Sequence, residues 1–65
     1  MTEEEKKEFC NKRGFFFIRD FQEYRLRVSK DICVHFKKEL IHKKLDLLNP
    51  EIELLYLKEI ASQLV

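Results

Sequence analysis

A chain of 65 residues is long enough for one small domain and no more. Hydrophobic residues make up 45% of it, which excludes a disordered tail, and no apolar run approaches the ~18–20 residues that a transmembrane helix requires. The net charge of +1 is unevenly spread, because residues 12–44 carry ten basic and four acidic side chains while the two ends are acidic. A basic middle segment is compatible with a polyanionic partner, and also with an ordinary solvated surface.

Cysteine usage and the N-terminus bear on the compartment. The two cysteines, Cys10 and Cys33, do not form a disulfide framework. The first residues are acidic, which is unlike a signal peptide. Both features predict an intracellular, cytoplasmic protein in a reducing environment.

The first predicted element is a short helix over residues 2–13. Thr2 and Glu5 fit a capping box at its start, and Gly14 fits the stop at its end. Residues 1–22 together are predicted to form an N-terminal extension, and residues 23–65 to form the core of the single domain.

Residues 15–21 are apolar and aromatic, a composition that suits a strand. The segment either forms a hairpin with residues 24–28 across residues 20–23 or docks elsewhere, because no Asn-Gly or Asp-Gly pair marks a turn. Attachment to a membrane surface is a further alternative. The large side chains that need a partner are Phe15, Phe16, Phe17, Ile18 and Phe21.

Residues 24–28 are predicted to form a strand with one apolar and one basic face. Tyr24, Leu26 and Val28 alternate with Arg25 and Arg27. Since successive side chains of a strand point to opposite faces, both arginines are expected on the face opposite the core.

Residues 30–45 are predicted to form the first long helix, with Ser29 as its N-cap and Asp31 in its first turn. One apolar face, expected at the centre of the core, consists of Ile32, Phe36 and Leu40. A second apolar face consists of Val34, Ile41 and Leu45. A helix with two apolar faces needs two partners, so the pattern predicts a homodimer without a well-folded monomer.

Residues 49–65 are predicted to form a second helix that runs to the last residue. Asn49 is a favourable N-cap, Pro50 suits the first helical position, and Glu51 follows in the first turn. The broad apolar face of this helix consists of Leu54, Leu57, Ile60, Ala61, Leu64 and Val65.

The residues available for chemistry predict neither a metal site, nor a cofactor, nor an enzyme. The soft metal ligands are Cys10, Cys33, His35 and His42, and their spacing suits no shared site. Surface histidines and a core Cys33 are the expected arrangement. The single glycine excludes the familiar phosphate-binding loops, and no serine or cysteine lies in a nucleophile elbow.

One strand followed by two helices is the element order of the ribbon-helix-helix DNA-binding proteins of the Arc and MetJ type, and residues 23–65 resemble that family. The similar features are the alternating strand from Tyr24 to Val28, the capping residues that follow it, and the polar start of the second helix at Asn49. The resemblance implies an intertwined homodimer whose two strands pair antiparallel and enter the major groove of double-stranded DNA.

The resemblance also implies which residues contact DNA. The outward strand side chains would be Glu23, Arg25 and Arg27, with charge-assisted contacts from Lys30. The backbone amides near Asn49 and Glu51 would bind a phosphate at the start of the second helix. The expected function is a small dimeric DNA-binding protein that represses transcription.

The predicted fold class is α+β and mostly helical, with a short N-terminal helix, one or two short strands and then two helices in a ribbon-helix-helix-like dimer. An alternative fold is a monomeric α-β-β-α-α domain. The alternative function is a non-enzymatic protein–protein interaction module, such as a small subunit, an adaptor or an inhibitor. The partner would then bind the exposed aromatic segment, which contains Phe15, Phe16, Phe17 and Phe21, and the second apolar face of the first long helix.

Overall fold

Three antiparallel strands form one sheet, and three α-helices pack against one of its faces, so the predicted α+β class is confirmed. The computed structural model describes residues 1–64. The elements follow in the order α1 (Glu3–Lys12), β1 (Phe15–Ile18), a 3-10 turn (Arg19–Phe21), β2 (Glu23–Arg27), β3 (Cys33–Lys37), α2 (Lys38–Leu45) and α3 (Pro50–Gln63). Within the described part of the chain, no helix is long and apolar enough to cross a membrane.

The strands lie in the order β1-β2-β3, with β2 in the centre. Of the two arrangements left open for the aromatic segment, the hairpin with β2 is the one observed. Its connection is the 3-10 turn followed by Gln22, which has a φ of 50° in the left-handed region. Glutamine is an uncommon choice there, which explains why the sequence carries no recognisable hairpin signal.

The alternation of each strand sends one set of side chains into the core. On the central strand, Tyr24 and Leu26 are buried, as predicted. Their cross-strand partners on this inner face are Phe15 and Phe17 of β1 and Val34 and Phe36 of β3. All three helices contribute to the same buried cluster, which consists of Cys10, Phe15, Tyr24, Leu26, Ile41, Leu45, Leu54, Leu57 and Ala61.

The first helix begins and ends as the sequence predicts. Thr2 and Glu5 form both hydrogen bonds of the capping box, with Glu5 N donating to Thr2 Oγ1 at 3.2 Å. Gly14 follows the helix with a φ of +88°, where an L side chain is strained. Because Cys10 and Phe15 are both fully buried, residues of the N-terminal third are part of the core.

The predicted helix over residues 30–45 is wrong in its first half, because Cys33–Lys37 is strand β3 and α2 begins only at Lys38. Val34 and Phe36 point inwards, and this period of two outweighed the four-residue spacing on which the helix prediction was based. Ser29 and Asp31 lie in the loop between β2 and β3, where Val28 N donates to Ile32 O at 3.0 Å. The sheet therefore has three strands, where one or two were predicted.

The predicted core of this region changes with its structure. Ile32 is 44% exposed and Leu40 is 46% exposed, so neither is central to the core. Phe36 is half-buried and contacts the buried Phe15 ring at a centroid distance of 5.8 Å. Cys33 is exposed rather than buried, because it points to the outer face of β3.

The third helix confirms the predicted start: Asn49 Oδ1 accepts a hydrogen bond from Ile52 N at 3.2 Å, and Pro50 occupies the first position. Of its predicted apolar face, Leu54, Leu57 and Ala61 are buried, whereas Ile60 and Leu64 are exposed. The prediction for Val65 lies outside the described residues.

Candidate functional site

The face of the sheet that points away from the helices carries most of the polar strand residues. The register places Phe16, Arg25 and His35 side by side across the three strands. The neighbouring rows consist of Ile18, Glu23 and Lys37 on one side and of Arg27 and Cys33 on the other. We call these side chains, together with Phe21 of the connecting turn, the open face.

Arg25 lies at the centre of the open face in a fixed orientation. Its Nε donates a hydrogen bond to Glu23 Oε2 at 2.8 Å. The guanidinium carbon lies 5.4 Å from the centroid of the Phe21 ring, within the range of a cation–π contact. Because Nε is engaged with Glu23, the two terminal nitrogens of the guanidinium remain to bind a ligand.

Glu23 contacts a second side chain on the open face. His35 Nδ1 lies 3.0 Å from the same Oε2 atom that accepts from Arg25. The Glu23 side chain is only 18% exposed, so its carboxylate is largely enclosed by these two neighbours. The carboxylate therefore contacts both Arg25 and His35, and it partly offsets the positive charge of Arg25.

Two exposed phenylalanine rings lie beside Arg25. Phe16 is opposite Arg25 on β1 and is 53% exposed, and Phe21 is 68% exposed. Neither side chain belongs to the buried cluster. Exposed aromatic rings next to a guanidinium provide a surface on which planar groups stack.

Further basic groups lie around the edge of the open face. Arg27 is exposed, and its Nη1 donates to the carbonyl oxygen of Lys30 at 2.7 Å, which ties the strand to the following loop. A shallow cleft lined by Phe16, Arg27 and Lys58 extends the face towards α3. Lys37 is exposed at the start of α2, so positive charge is present on several sides of Arg25.

The structure brings together only part of the predicted site. Glu23, Arg25 and Arg27 share the open face as expected, and Lys30 lies in the adjacent loop. Asn49 and Glu51 belong to the helical layer instead. The predicted phosphate contact at the start of α3 is therefore not continuous with the strand residues.

The predicted pairing of β2 with its own copy is also corrected. Both edges of β2 are hydrogen-bonded within the chain, one to β1 and the other to β3. A two-stranded ribbon between two copies would need one of these pairings to open. The arginines are thus presented by a three-stranded sheet.

The aromatic segment that was predicted as a protein-binding surface divides between the two faces of the sheet. Phe15 is fully buried, and Phe17 packs against the core with its ring 5.2 Å from that of Tyr24. Only Phe16 and Phe21 are available to a partner. His35 and Lys37 belong to the open face and were not predicted to do so, although the alternation from Cys33 to Lys37 carries that signal.

A second polar cluster lies inside the core, and it corrects the prediction that His42 is a surface residue. The Tyr24 hydroxyl and His42 Nε2 are 2.6 Å apart, and His42 is 6% exposed. Burial lowers the pKa of His42; nearby Lys6 and Lys38 lower it further, while Glu3 acts in the opposite direction. The imidazole is therefore held neutral.

Cys10 completes this buried cluster beside the Tyr24 hydroxyl. Burial raises the pKa of the Cys10 thiol to about 11, and it raises the pKa of Tyr24 as well. Both groups are fully buried, so neither is placed to react with a substrate. We assign the cluster a structural role and consider the open face as the candidate site.

Comparison with known proteins provides no functional assignment for this chain. No protein-family model matches it, and the comparisons with curated proteins and with solved structures found no significant match.

Proposed function

We propose that this protein binds nucleic acid through the open face, and that single strands are its preferred ligand. The observation that carries the proposal is Arg25, whose guanidinium is oriented by Glu23 and Phe21 at the centre of a sheet face that none of the α-helices among residues 1–64 covers. Arg27 and Lys37 in the neighbouring rows supply further positive charge.

A pre-oriented arginine is well suited to recognise phosphate or a base edge. The terminal nitrogens form a planar fork that donates two parallel hydrogen bonds to a phosphate or to guanine O6 and N7. Because Glu23 and Phe21 already restrict the Arg25 side chain, less conformational entropy is lost when a ligand binds. The contact is accordingly stronger than one made by a mobile surface lysine.

The width of the sheet and the exposed rings favour single strands over duplex DNA. Three strands at a spacing of about 4.8 Å span about 10 Å before side chains are added. The major groove is about 12 Å wide and admits a two-stranded ribbon. The exposed rings of Phe16 and Phe21 provide stacking surfaces for unpaired bases, which a duplex does not offer.

The test is titration of fluorescently labelled oligonucleotides at low salt, with anisotropy as the readout. We expect single-stranded DNA or RNA to bind more tightly than a duplex of the same sequence. Arg25→Ala should weaken binding by roughly 10- to 100-fold, the loss expected for one bidentate contact. Lys43→Ala is the matched control, because it removes one positive charge from an exposed position of α2.

Glu23→Ala separates orientation from simple charge attraction. Removal of a carboxylate makes the face more positive, so non-specific attraction alone predicts tighter binding. If Glu23 orients Arg25, the substitution weakens binding instead.

The proposal is wrong if the parent protein binds no more tightly than about 10⁻⁴ M, the weak limit of non-specific association, or if Arg25→Ala behaves like Lys43→Ala. Tighter binding of the duplex would contradict the preference for single strands.

A further inference from the structure

Helix α3 and its C-cap residue expose a row of large apolar side chains on the side of the molecule that the open face does not occupy. The row consists of Ile52, Tyr56, Ile60 and Leu64, which we call the α3 ridge. The exposed fractions of its members are 58%, 57%, 38% and 71% in chain order. Their spacing of four residues places them along one surface ridge of an α-helix.

Side chains of the preceding helix and loop extend this apolar surface. Lys44 Nζ lies 3.8 Å from Glu53 Oε1, which shows which sides of α2 and α3 adjoin each other. Leu40 lies one turn before Lys44 on the same side of α2 and is exposed, as are Leu47 and Leu48 in the following loop. We call the α3 ridge and these three exposed leucines together the apolar patch.

We propose that the α3 ridge is a dimerisation surface on which a second copy of this chain packs. At roughly 60 Å² of exposed apolar area per side chain, the seven side chains of the apolar patch offer about 400 Å² per copy. A standard interface buries about 800 Å² per partner and is somewhat more than half apolar. The patch therefore has approximately the apolar area that a stable dimer needs.

The spacing of the ridge makes it self-complementary. When two copies of α3 cross antiparallel about a two-fold axis, Ile52 of one protomer faces Leu64 of its partner, and Tyr56 faces Ile60. Ridges spaced by four residues interdigitate at a crossing angle of about −50°, the commonest class of helix packing. One surface thus provides both the ridges and the grooves of the contact.

The charges on α3 favour the antiparallel arrangement. Acidic residues lie in its first turn, where Glu51 and Glu53 are found, whereas residues 60–64 carry no charge. A parallel pair would bring the acidic first turns of both copies together. An antiparallel pair instead separates the acidic turns of the two copies, and it orients the two helix dipoles in opposite directions.

The contact is independent of the open face and requires a different test. Sedimentation velocity of the full chain at several concentrations should show a dimer in the parent protein. Tyr56→Glu introduces a charge at the middle of the α3 ridge, and we expect it to raise the dimer dissociation constant by at least about 30-fold, as for a central hot-spot residue. Ser62→Glu is the matched control, because it adds the same charge at an exposed position of α3 outside the ridge.

The oligomeric state of the parent protein and of the two variants tests whether the α3 ridge joins two copies. A parent dimer that Tyr56→Glu dissociates and Ser62→Glu leaves intact supports the proposal. A parent protein that remains monomeric at about 1 mM, or a dimer that both substitutions affect equally, overturns it. Circular dichroism spectra verify that the exposed substitutions leave the fold unchanged.

Discussion

Tyr24 and His42 form a polar contact in the middle of an otherwise apolar core. Their hydrogen bond satisfies one atom on each side chain, at a site where an unpaired polar group costs about 1–3 kcal/mol. The second ring nitrogen, His42 Nδ1, is buried without a hydrogen-bond partner among residues 1–64, and Glu3 Oε1 is 3.6 Å away. Burial at this position favours the neutral imidazole over the protonated one, which lowers the pKa of His42.

The first prediction concerns pH. Because burial depresses the pKa of His42 in the folded state, the unfolded chain takes up the proton first as the pH falls through 6.5. The contribution of neutral His42 to the free energy of unfolding is therefore fully present above pH 6.5. It decreases as the pH falls below 6.5, and the decrease ends once the pH passes the lower pKa of the folded state. Urea unfolding at about pH 7.5 and about pH 5.5 measures the decrease.

Two histidine variants assign this pH effect to a residue. His42→Gln should abolish the decrease in stability between the two pH values, whereas His35→Gln should leave it in place, since His35 is on the exposed face. A His42→Gln protein that loses as much stability on acidification as the parent would contradict the assignment.

At the scale of elements, the β1–β2 hairpin explains why residues 33–37 form a strand. A two-stranded sheet is marginal in water, and the outer edge of β2 is available for a third strand. Val34 and Phe36 then extend the inner apolar face beside Leu26 and Tyr24. This tertiary pairing outweighs the helical spacing of the segment, which is short enough to fit both patterns.

Local signals in the sequence were sufficient for some elements and insufficient for others. Thr2 and Asn49 cap their helices through bonds to residues three positions away, so both helix starts could be predicted. The alternation around Arg25 likewise placed the strand arginines on the outer face. The Tyr24–His42 contact and the Arg25–Phe21 contact depend on how separate elements pack, and no local spacing encodes them.

The second prediction ranks core substitutions. Phe15→Ala removes a fully buried ring and should cost about 3–5 kcal/mol of unfolding free energy. Phe36→Ala, at the edge of the core, should cost less, and Ile32→Ala should change stability by only about 0.5 kcal/mol because the loop exposes its side chain. Chemical denaturation measures all three. An Ile32→Ala protein as unstable as Phe15→Ala would instead support the helical arrangement of residues 30–45.

At the scale of the whole molecule, the chain is two layers thick and measures 32 × 27 × 18 Å. So small a domain buries a limited fraction of its surface, and each layer has an outer side that the chain itself does not cover. On the sheet layer this side is the open face, with its basic and aromatic groups. On the helical layer it includes the apolar α3 ridge, so the two surfaces differ in chemistry and point in different directions.

The third prediction combines the two surfaces and rests on both proposals. A dimer joined through the α3 ridges carries two open faces, one on each protomer. A strand of about 10 nucleotides fits one face, whereas a strand of about 30 nucleotides can wrap around the dimer and contact both, which raises its apparent affinity by avidity. The gain in affinity from the shorter to the longer strand should therefore be larger for the parent dimer than for Tyr56→Glu. Anisotropy titrations with both lengths, at protein concentrations where the parent is dimeric, measure the difference. The control is the short strand: Tyr56→Glu should leave its binding unchanged, because Tyr56 lies on the helical layer and not on the open face. An equal gain in affinity for the parent and for Tyr56→Glu would show that the two open faces bind independently.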